Sequence, residues 1–466
     1  MTSADALAAL KSAVGDGGWT EDPAEIAPWL TEWRNRWTGH TPLMLLPRST
    51  EQVAAAVRVC HERRIPLVTQ GGGTGLVGGQ VPHGEVLLST RRLSGIRDVT
   101  PLDDAMTVEA GVTLAEAQQA AAAAGRLFPL SLAAEGTATV GGAVSTNAGG
   151  TAVLRYGVMR DLVLGLEAVL PDGEIFHGLK RLRKDNTGYD LKQLLIGAEG
   201  TLGVVTAATL KLSPVMRGRA TAMVGLDSPA AAIDLLARAK AETGGGVEAF
   251  ELMKRLGMEF VLTHIPGARE PLDSAPPWYV LIELVSGEPA AAGPAMERLL
   301  AEAFEAGLIT DAAIAQNDGQ RAALWKLREE QSAAQKPEGG GWKHDVSVPI
   351  SRIPAFLDEA EAALQRFHPG ARISVFGHVG DGNLHYDVLR PPGQDPAAFL
   401  ARWAEGSRIV HDIVARHDGS ISAEHGLGRL KTDEARRYKS PVEIRAMQAL
   451  RAALDPHRIM NPAVLF

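Results

Sequence analysis

Two imidazoles and a carboxylate stand where they could hold one metal ion. The segment Gly377-His378-Val379-Gly380-Asp381-Gly382-Asn383-Leu384-His385 places two histidines at the ends of a seven-residue interval. Fully extended at roughly 3.3 Å per residue, they would lie about 23 Å apart, so they share an ion only if the chain doubles back. Gly380-Asp381-Gly382-Asn383 supplies the reversal, because Asp-Gly and Gly-Asn tolerate positive φ. The flanks Arg372–Phe376 and Leu384–Leu389 have the β-branched and aromatic content of strands. A hairpin is the expected result. Two neutral imidazole nitrogens, one carboxylate and an open position make a ligand set suited to a catalytic divalent cation. Downstream, Ser422-Ala423-Glu424-His425-Gly426 offers Glu424 as the carboxylate and a further imidazole in His425. A lone histidine at a turn is ordinarily a packed or surface residue. The metal reading therefore rests on His378, His385 and Glu424 taken together.

The first half of the chain is organised by glycine. Ser49 and Gln52 form a capping-box start for a helix reaching about Arg63. The apolar run Ile65–Thr69 and the loop Gln70-Gly71-Gly72-Gly73-Thr74-Gly75-Leu76-Val77-Gly78-Gly79 follow. Gly73-x-Gly75-x-x-Gly78 matches the dinucleotide fingerprint, but Gln80-Val81-Pro82 follows where a Rossmann unit would open a helix. What remains is a run of bare backbone amides able to approach a diphosphate, as in an anion nest, or an ordinary surface loop. A capped helix over Thr113–Ala124 precedes a second tract, Glu135–Gly150, whose small residues and hydroxyls suit a flat ligand better than a hydrophobic core. Gly197-Ala198-Glu199-Gly200-Thr201-Leu202-Gly203 repeats the theme ahead of a β-branched strand. Several such loops suggest one large nucleotide-like ligand.

Bulk properties narrow the class. A chain of 466 residues exceeds one ordinary core, so two or three domains are expected. Lys+Arg 47 against Asp+Glu 55 argues against a nucleic-acid partner. The single Cys60 excludes an internal disulfide and suits a reducing, cytoplasmic setting. Met1-Thr-Ser-Ala-Asp-Ala-Leu lacks the pattern of an export signal, and no apolar run approaches membrane-spanning length, leaving at most a peripheral membrane association.

After Ser213-Pro214 the pattern changes to helical stretches (Ala230–Glu242, Pro294–Ala306, Gln320–Gln335) alternating with strand-like runs (Tyr279–Val285, Asp345–Val348), an α+β signature. The expected division is 1–214, 215–428 and a helical segment, 429–466, that returns to pack on the first domain. On a helix through Gln320–Gln335, Arg328 and Ser332 would share a face and could grip one anion, although Arg328 beside Glu329 and Glu330 also fits a solvated face with internal ion pairs.

The combination of Gln70–Gly79, Gly141–Gly150 with Tyr156-Gly157, Gly197–Gly203, Gly377–His385, Ala423–Gly428 and Asn461-Pro462 resembles the flavoprotein family of vanillyl-alcohol-oxidase type, and within it the FAD-dependent D-2-hydroxyacid dehydrogenases. The resemblance implies a two-subdomain FAD-binding domain of p-cresol-methylhydroxylase type with an α+β cap domain for substrate. FAD would be held non-covalently, with His83 the nearest histidine to a covalent attachment point. The diphosphate would lie along Gln70, Gly71, Gly72, Gly73, Thr74, Gly75, Leu76, Gly78 and Gly79. The ring system would lie near Thr137, Gly141, Gly142, Ser145, Asn147 and Gly150, and Glu199, Gly200, Gly203, Val204 and Asn461 would also contact the cofactor. It further implies Lys343 as a second cation beside Arg328 and Ser332 for a distal substrate carboxylate, and an asparagine where this chain has Asp387, a departure in the substrate-binding set.

The implied reaction oxidises a D-2-hydroxy acid, D-2-hydroxyglutarate to 2-oxoglutarate foremost, by hydride transfer to flavin. Zinc, or manganese or iron, would acidify the hydroxyl and His425 would act as general base. D-lactate or glycolate is the runner-up substrate, and a metal-dependent hydrolase the rival class. The electron acceptor, such as electron-transfer flavoprotein or a quinone, and homodimer formation are open at this point.

Overall fold

A computed structural model describes residues 3–465; Met1 and Thr2, the start of the stretch read for an export signal, and Phe466 lie outside the described residues. Two compact units form. One comprises the chain up to Gly150, Tyr156–Val215 and the chain from Glu424 onward; the other comprises Thr151–Arg155 and Met216–Ala423. Against the boundaries expected at 214 and 428, the second crossing falls at Ala423, and 429–466 belongs to the first unit. The reason is local: the Glu199 carboxylate accepts the amides of Leu427 at 2.9 Å and Gly428 at 2.8 Å, tying the returning chain into that unit.

In the first unit, Met44–Leu45 and Leu67–Gln70 flank Val86–Ser89 in parallel, and Trp19–Thr20 adds an antiparallel edge. A five-stranded antiparallel sheet runs in the order Ile96–Thr100, Ala105–Glu109, Val204–Lys211, Val163–Val169, Ile175–Gly178. The helix Thr50–Arg63 starts on Ser49, whose hydroxyl accepts Gln52 N–H, but Gln52 reaches Arg48 N–H at 2.7 Å rather than closing the expected reciprocal box. The helix Leu114–Ala123 closes its box in full through Thr113 and Glu116. Cys60 is buried, and burial pushes its thiol up to about 12.

The Glu135–Gly150 tract departs from expectation. Val140–Thr146 is helical, capped by Thr139, and Val140, Ala143 and Val144 join the core. Small residues are what let this helix sit so close: a Cβ on Gly141 would stand 2.6 Å from Ala110 Cβ, and one on Gly71 2.2 Å from Thr139 Oγ1.

The second unit carries a seven-stranded antiparallel sheet in the order Asp311–Ile314, Gly218–Leu226, Trp278–Ser286, Val247–Lys254, Arg372–Gly377, Asn383–Leu389, Gly341–Ser347. Side chains alternate between its faces. On one, Trp342, His344 and Tyr386 are covered by Phe399, Ser407 and Phe356. Trp342 stacks on Phe399 at 4.3 Å, His344 Nε2 lies 3.0 Å from Ser407 Oγ, and Tyr386 meets Phe356 at 5.7 Å. The other face holds the polar residues described below.

Gly141→Ala should destabilise the first unit. Helix propensity favours alanine by up to about 1 kcal/mol, but overpacking against Ala110 costs about 1–3 kcal/mol. A lower unfolding midpoint for that unit is the expected result by calorimetry.

Candidate active site

The chain does double back. Arg372–Gly377 and Asn383–Leu389 pair antiparallel with Phe376 opposite His385. The turn between them closes through Asp381 N–H to His378 C=O at 3.1 Å and Gly382 N–H to Val379 C=O at 3.3 Å. Gly382 sits at φ +92°, and a Cβ there would meet the Val348 carbonyl oxygen at 2.4 Å, so glycine is required twice over. The His378 and His385 rings stand 6.0 Å apart, and a ring nitrogen of one lies within 4.8 Å of a ring nitrogen of the other.

The register dictates what surrounds them. His385 faces Asp345 across one ladder and Phe376 across the other; Asp387 faces Lys343 and Ser374. Met253 pairs with Phe376, which puts Glu251, two residues back, on the same face. A polar patch thus crosses four neighbouring strands. Asp345 accepts the Asn383 amide at 2.9 Å and offers a carboxylate oxygen within 4.8 Å of a His385 ring nitrogen.

Glu251 is its centre and was not singled out by sequence. Only 1 % exposed, it accepts His378 Nδ1–H at 2.7 Å and Arg328 Nε–H at 2.7 Å. Burial pushes its carboxyl up, but His378 and Arg328 outweigh that and hold it at about 2. An ionised carboxylate only accepts, so His378 carries a proton on Nδ1.

The expected anion grip is rearranged. The helix Asp318–Glu329 ends before Ser332, because the Gln331 side chain donates to Leu327 C=O at 3.0 Å, the carbonyl its own amide would take in a continuing helix. Ser332 is exposed while Arg328 is buried. They do not share a face. Among the described residues, the Arg328 terminal amino groups donate to no side chain or carbonyl, so only Nε is committed. Lys343 donates to Asp387 at 2.7 Å and to Gln335. Asp387, the departure noted above, is therefore paired, and it offsets the charge of Lys343. Gln335, buried and also unanticipated, stands beside Lys343 where Ser332 was expected to contribute.

The glycine loops lie in the first unit. Among the described residues, no amide from Gly72 to Gly79 donates to another group of the chain, a series of open donors suited to a diphosphate. Gln70 braces the loop, donating to Trp29 C=O and Gln80 C=O at 3.1 Å each. Gln80 in turn donates to Gly75 C=O at 2.8 Å, between Thr74 and Leu76. Other expected contacts bond within the chain: Ser145 donates to Gly141 C=O at 2.7 Å, exposed Thr137 to Ala134 C=O at 3.3 Å, and Asn147 accepts Arg160 N–H at 2.9 Å. A Cβ on Gly150 would collide with Ser131 C=O at 1.9 Å, and one on Gly142 would meet Thr139 Oγ1 at 3.3 Å. Glu199, at φ +51°, precedes Gly200 at +72°, and Gly203 leads into the strand that Val204 begins. Burial pushes the Glu199 carboxyl up, against the Leu427 and Gly428 amides. Asn461 donates to Gly79 C=O at 3.0 Å and Glu199 C=O at 2.9 Å, and among the described residues its buried Oδ1 has no partner, leaving an acceptor beside the loop. Glu424 and His425 open the returning segment directly after Ala423, in irregular backbone that Gly426 at φ +75° and Gly428 at +50° make possible.

Residues 41–178 match the model of an FAD binding domain and residues 215–465 that of the C-terminal domain of FAD linked oxidases. A D-2-hydroxyglutarate dehydrogenase of Xanthomonas citri pv. viticola is 38% identical over 96% of this chain and 93% of its own. A D-2-hydroxyglutarate–pyruvate transhydrogenase of Saccharomyces cerevisiae is 34% identical over 95% of this chain and 90% of its own. The crystal structure of p-cresol methylhydroxylase with substrate bound aligns over 99% of this chain and 96% of its own with a TM-score of 0.77 at 15% identity, a likeness of fold.

Lys343→Met should strand the Asp387 carboxylate and lower stability by about 1–3 kcal/mol, discounted for the partial exposure of Lys343. Adding Asp387→Asn should recover most of that loss in denaturant titrations. Equal, additive losses would show that the pair contributes nothing as a pair.

Proposed function

We propose, for a chain that belongs to the FAD-linked oxidases of vanillyl-alcohol-oxidase type, that it oxidises a D-2-hydroxy acid to the 2-oxo acid, with D-2-hydroxyglutarate, named by its relatives, as the first substrate. The observation that carries this reading is the polar sheet face on which His378, His385 and Arg328 are ordered around one buried carboxylate.

When bound, FAD supplies the hydride acceptor and a divalent cation, zinc foremost, supplies a Lewis acid for the 2-hydroxyl. The open amides of Gly72–Gly79 would neutralise the diphosphate. His378 Nε2 and His385 would hold the cation. Ala423 N–H lies 3.4 Å from Asp345 C=O, so Glu424 begins one Cα step, about 3.8 Å, past a residue fixed beside the strand that pairs with His385. That continuity supports Glu424 as the third ligand and His425 as the base that takes the hydroxyl proton while the hydride leaves C2. The terminal amino groups of Arg328 would take a substrate carboxylate, each charge-assisted hydrogen bond contributing about 1.5–3 kcal/mol.

One observation favours a second substrate reading. Asp387 already neutralises Lys343, which lowers the return from a distal carboxylate and suits a monocarboxylate such as D-lactate. Lys343→Ala should raise KM for D-2-hydroxyglutarate if Lys343 serves that carboxylate and leave turnover of the true substrate unchanged if it does not. Among the described residues no helix is long and apolar enough to cross a membrane; we take the enzyme to work in the cytoplasm. It would pass electrons to electron-transfer flavoprotein, a quinone or, as the yeast relative's name suggests, a 2-oxo acid.

Anaerobic addition of D-2-hydroxy acids should bleach the bound flavin, and their L-enantiomers should not. Exhaustive chelation, or His385→Ala, should slow bleaching by at least about 10²-fold, a loss of several kcal/mol of transition-state stabilisation. Full activity of metal-free protein would remove the cation from the mechanism.

A further inference from the structure

We infer that Glu251 is a positioning residue that orders the metal-facing and carboxylate-facing groups of the site at once. This rests on the function proposed above, but the geometry behind it lies within one unit.

The two oxygens of Glu251 are divided between two donors. Oε1 takes His378 Nδ1–H and Oε2 takes Arg328 Nε–H, both at 2.7 Å. Each donor has a second function. His378 belongs to a group whose ligand atoms could hold a metal ion, and among the described residues Arg328 commits only Nε, which leaves its terminal amino groups for an anion. Arg328 is also stacked over the Phe376 ring at 5.0 Å, and Phe376 lies against His385 at 4.9 Å. The guanidinium plane and both imidazoles are therefore locked by one contiguous set of contacts, with Glu251 at its root. A divalent cation and a carboxylate group of one substrate are thereby presented in a fixed relation. The neighbouring ion pairs, Lys343 with Asp387 and Lys254 with Glu361, do not touch a candidate metal ligand.

Glu251→Gln keeps the shape but replaces one acceptor oxygen with an N–H₂ group, which must face either His378 Nδ1–H or Arg328 Nε–H. Purified holoenzyme carrying this change should bind zinc about 10–100-fold more weakly in chelator competition, the range for losing the partner of a metal-bound imidazole. Its FAD content should be unchanged. With zinc saturating, KM for D-2-hydroxyglutarate should rise more than KM for D-lactate. Zinc affinity within twofold of the parent protein, with both KM values unchanged, would overturn the inference. Should the variant not fold, ¹⁵N spectra of histidine-labelled parent protein decide: a protonated Nδ1 on His378 is expected, and a protonated Nε2 would overturn the inference. Parent protein that binds no divalent cation would defeat the metal in the proposed function, while a protonated Nδ1 on His378 in that same protein would still support the role of Glu251.

Discussion

A carboxylate placed inside a β-sheet has to be matched by donors, because the desolvation of an unpaired charge costs several kcal/mol. Glu251 meets that demand with two N–H donors from separate elements, the guanidinium of Arg328 on the helix Asp318–Glu329 and the imidazole of His378 in the turn after Arg372–Gly377. The rest of the polar face obeys the same rule. Asp387 is answered across the ladder by Lys343, and Asp345 by Asn383. The opposite face of the same strands, with Trp342, Tyr386 and Val388, is apolar and packed. The Glu251 face combines its ordered charges with a hydrophobic cluster that includes Met253, Tyr279, Leu281 and Phe376.

The first unit solves a different problem, that of bringing backbone close to backbone. Gly71, Gly72, Gly141 and Gly150 each stand where a Cβ would collide with a neighbouring segment. Gly71 and Gly72 pack the loop Gln70–Gly79 against Thr137–Thr139, Gly141 brings the helix Val140–Thr146 onto Ala110, and Gly150 lies on Ser131. The open amides of the loop are a result of that packing. Glu199 and Asn461 complete the frame by joining Gly79, Gly200 and the returning segment at Leu427–Gly428. The side chains of Ser145, Asn147 and Glu199 are bonded to backbone groups of this same unit.

The hairpin could be read directly, since Asp381-Gly382 between two β-branched runs is a local signal with a local cause. The rejection of a Rossmann unit could be read too, because Gln80-Val81-Pro82 cannot open a helix; the structure has turns there. Helix termination at Glu329 could not. It depends on the Gln331 side chain capturing Leu327 C=O, and nothing in a helical repeat announces that. Glu251 was hidden for a related reason: it lies 127 residues from His378 in an unremarkable run, Val247-Glu-Ala-Phe-Glu-Leu-Met-Lys254. The one available hint was a glutamate at the inward position of an otherwise apolar alternation, a buried charge that must have a partner. The pairing of Asp387 with Lys343 needed the register of two strands distant in sequence. The glycine tract misled because small residues serve close packing and ligand approach alike.

Anomalous diffraction above and below the zinc edge, on crystals of the protein purified with its metal, tests the central claim most directly. A peak at coordination distance, roughly 2.0–2.2 Å, from Nε2 of His378 and a ring nitrogen of His385, with Glu251 on the far side of His378, is the expected result. Density for a metal elsewhere, or a His378 ring turned so that Nε2 meets Glu251, would contradict it.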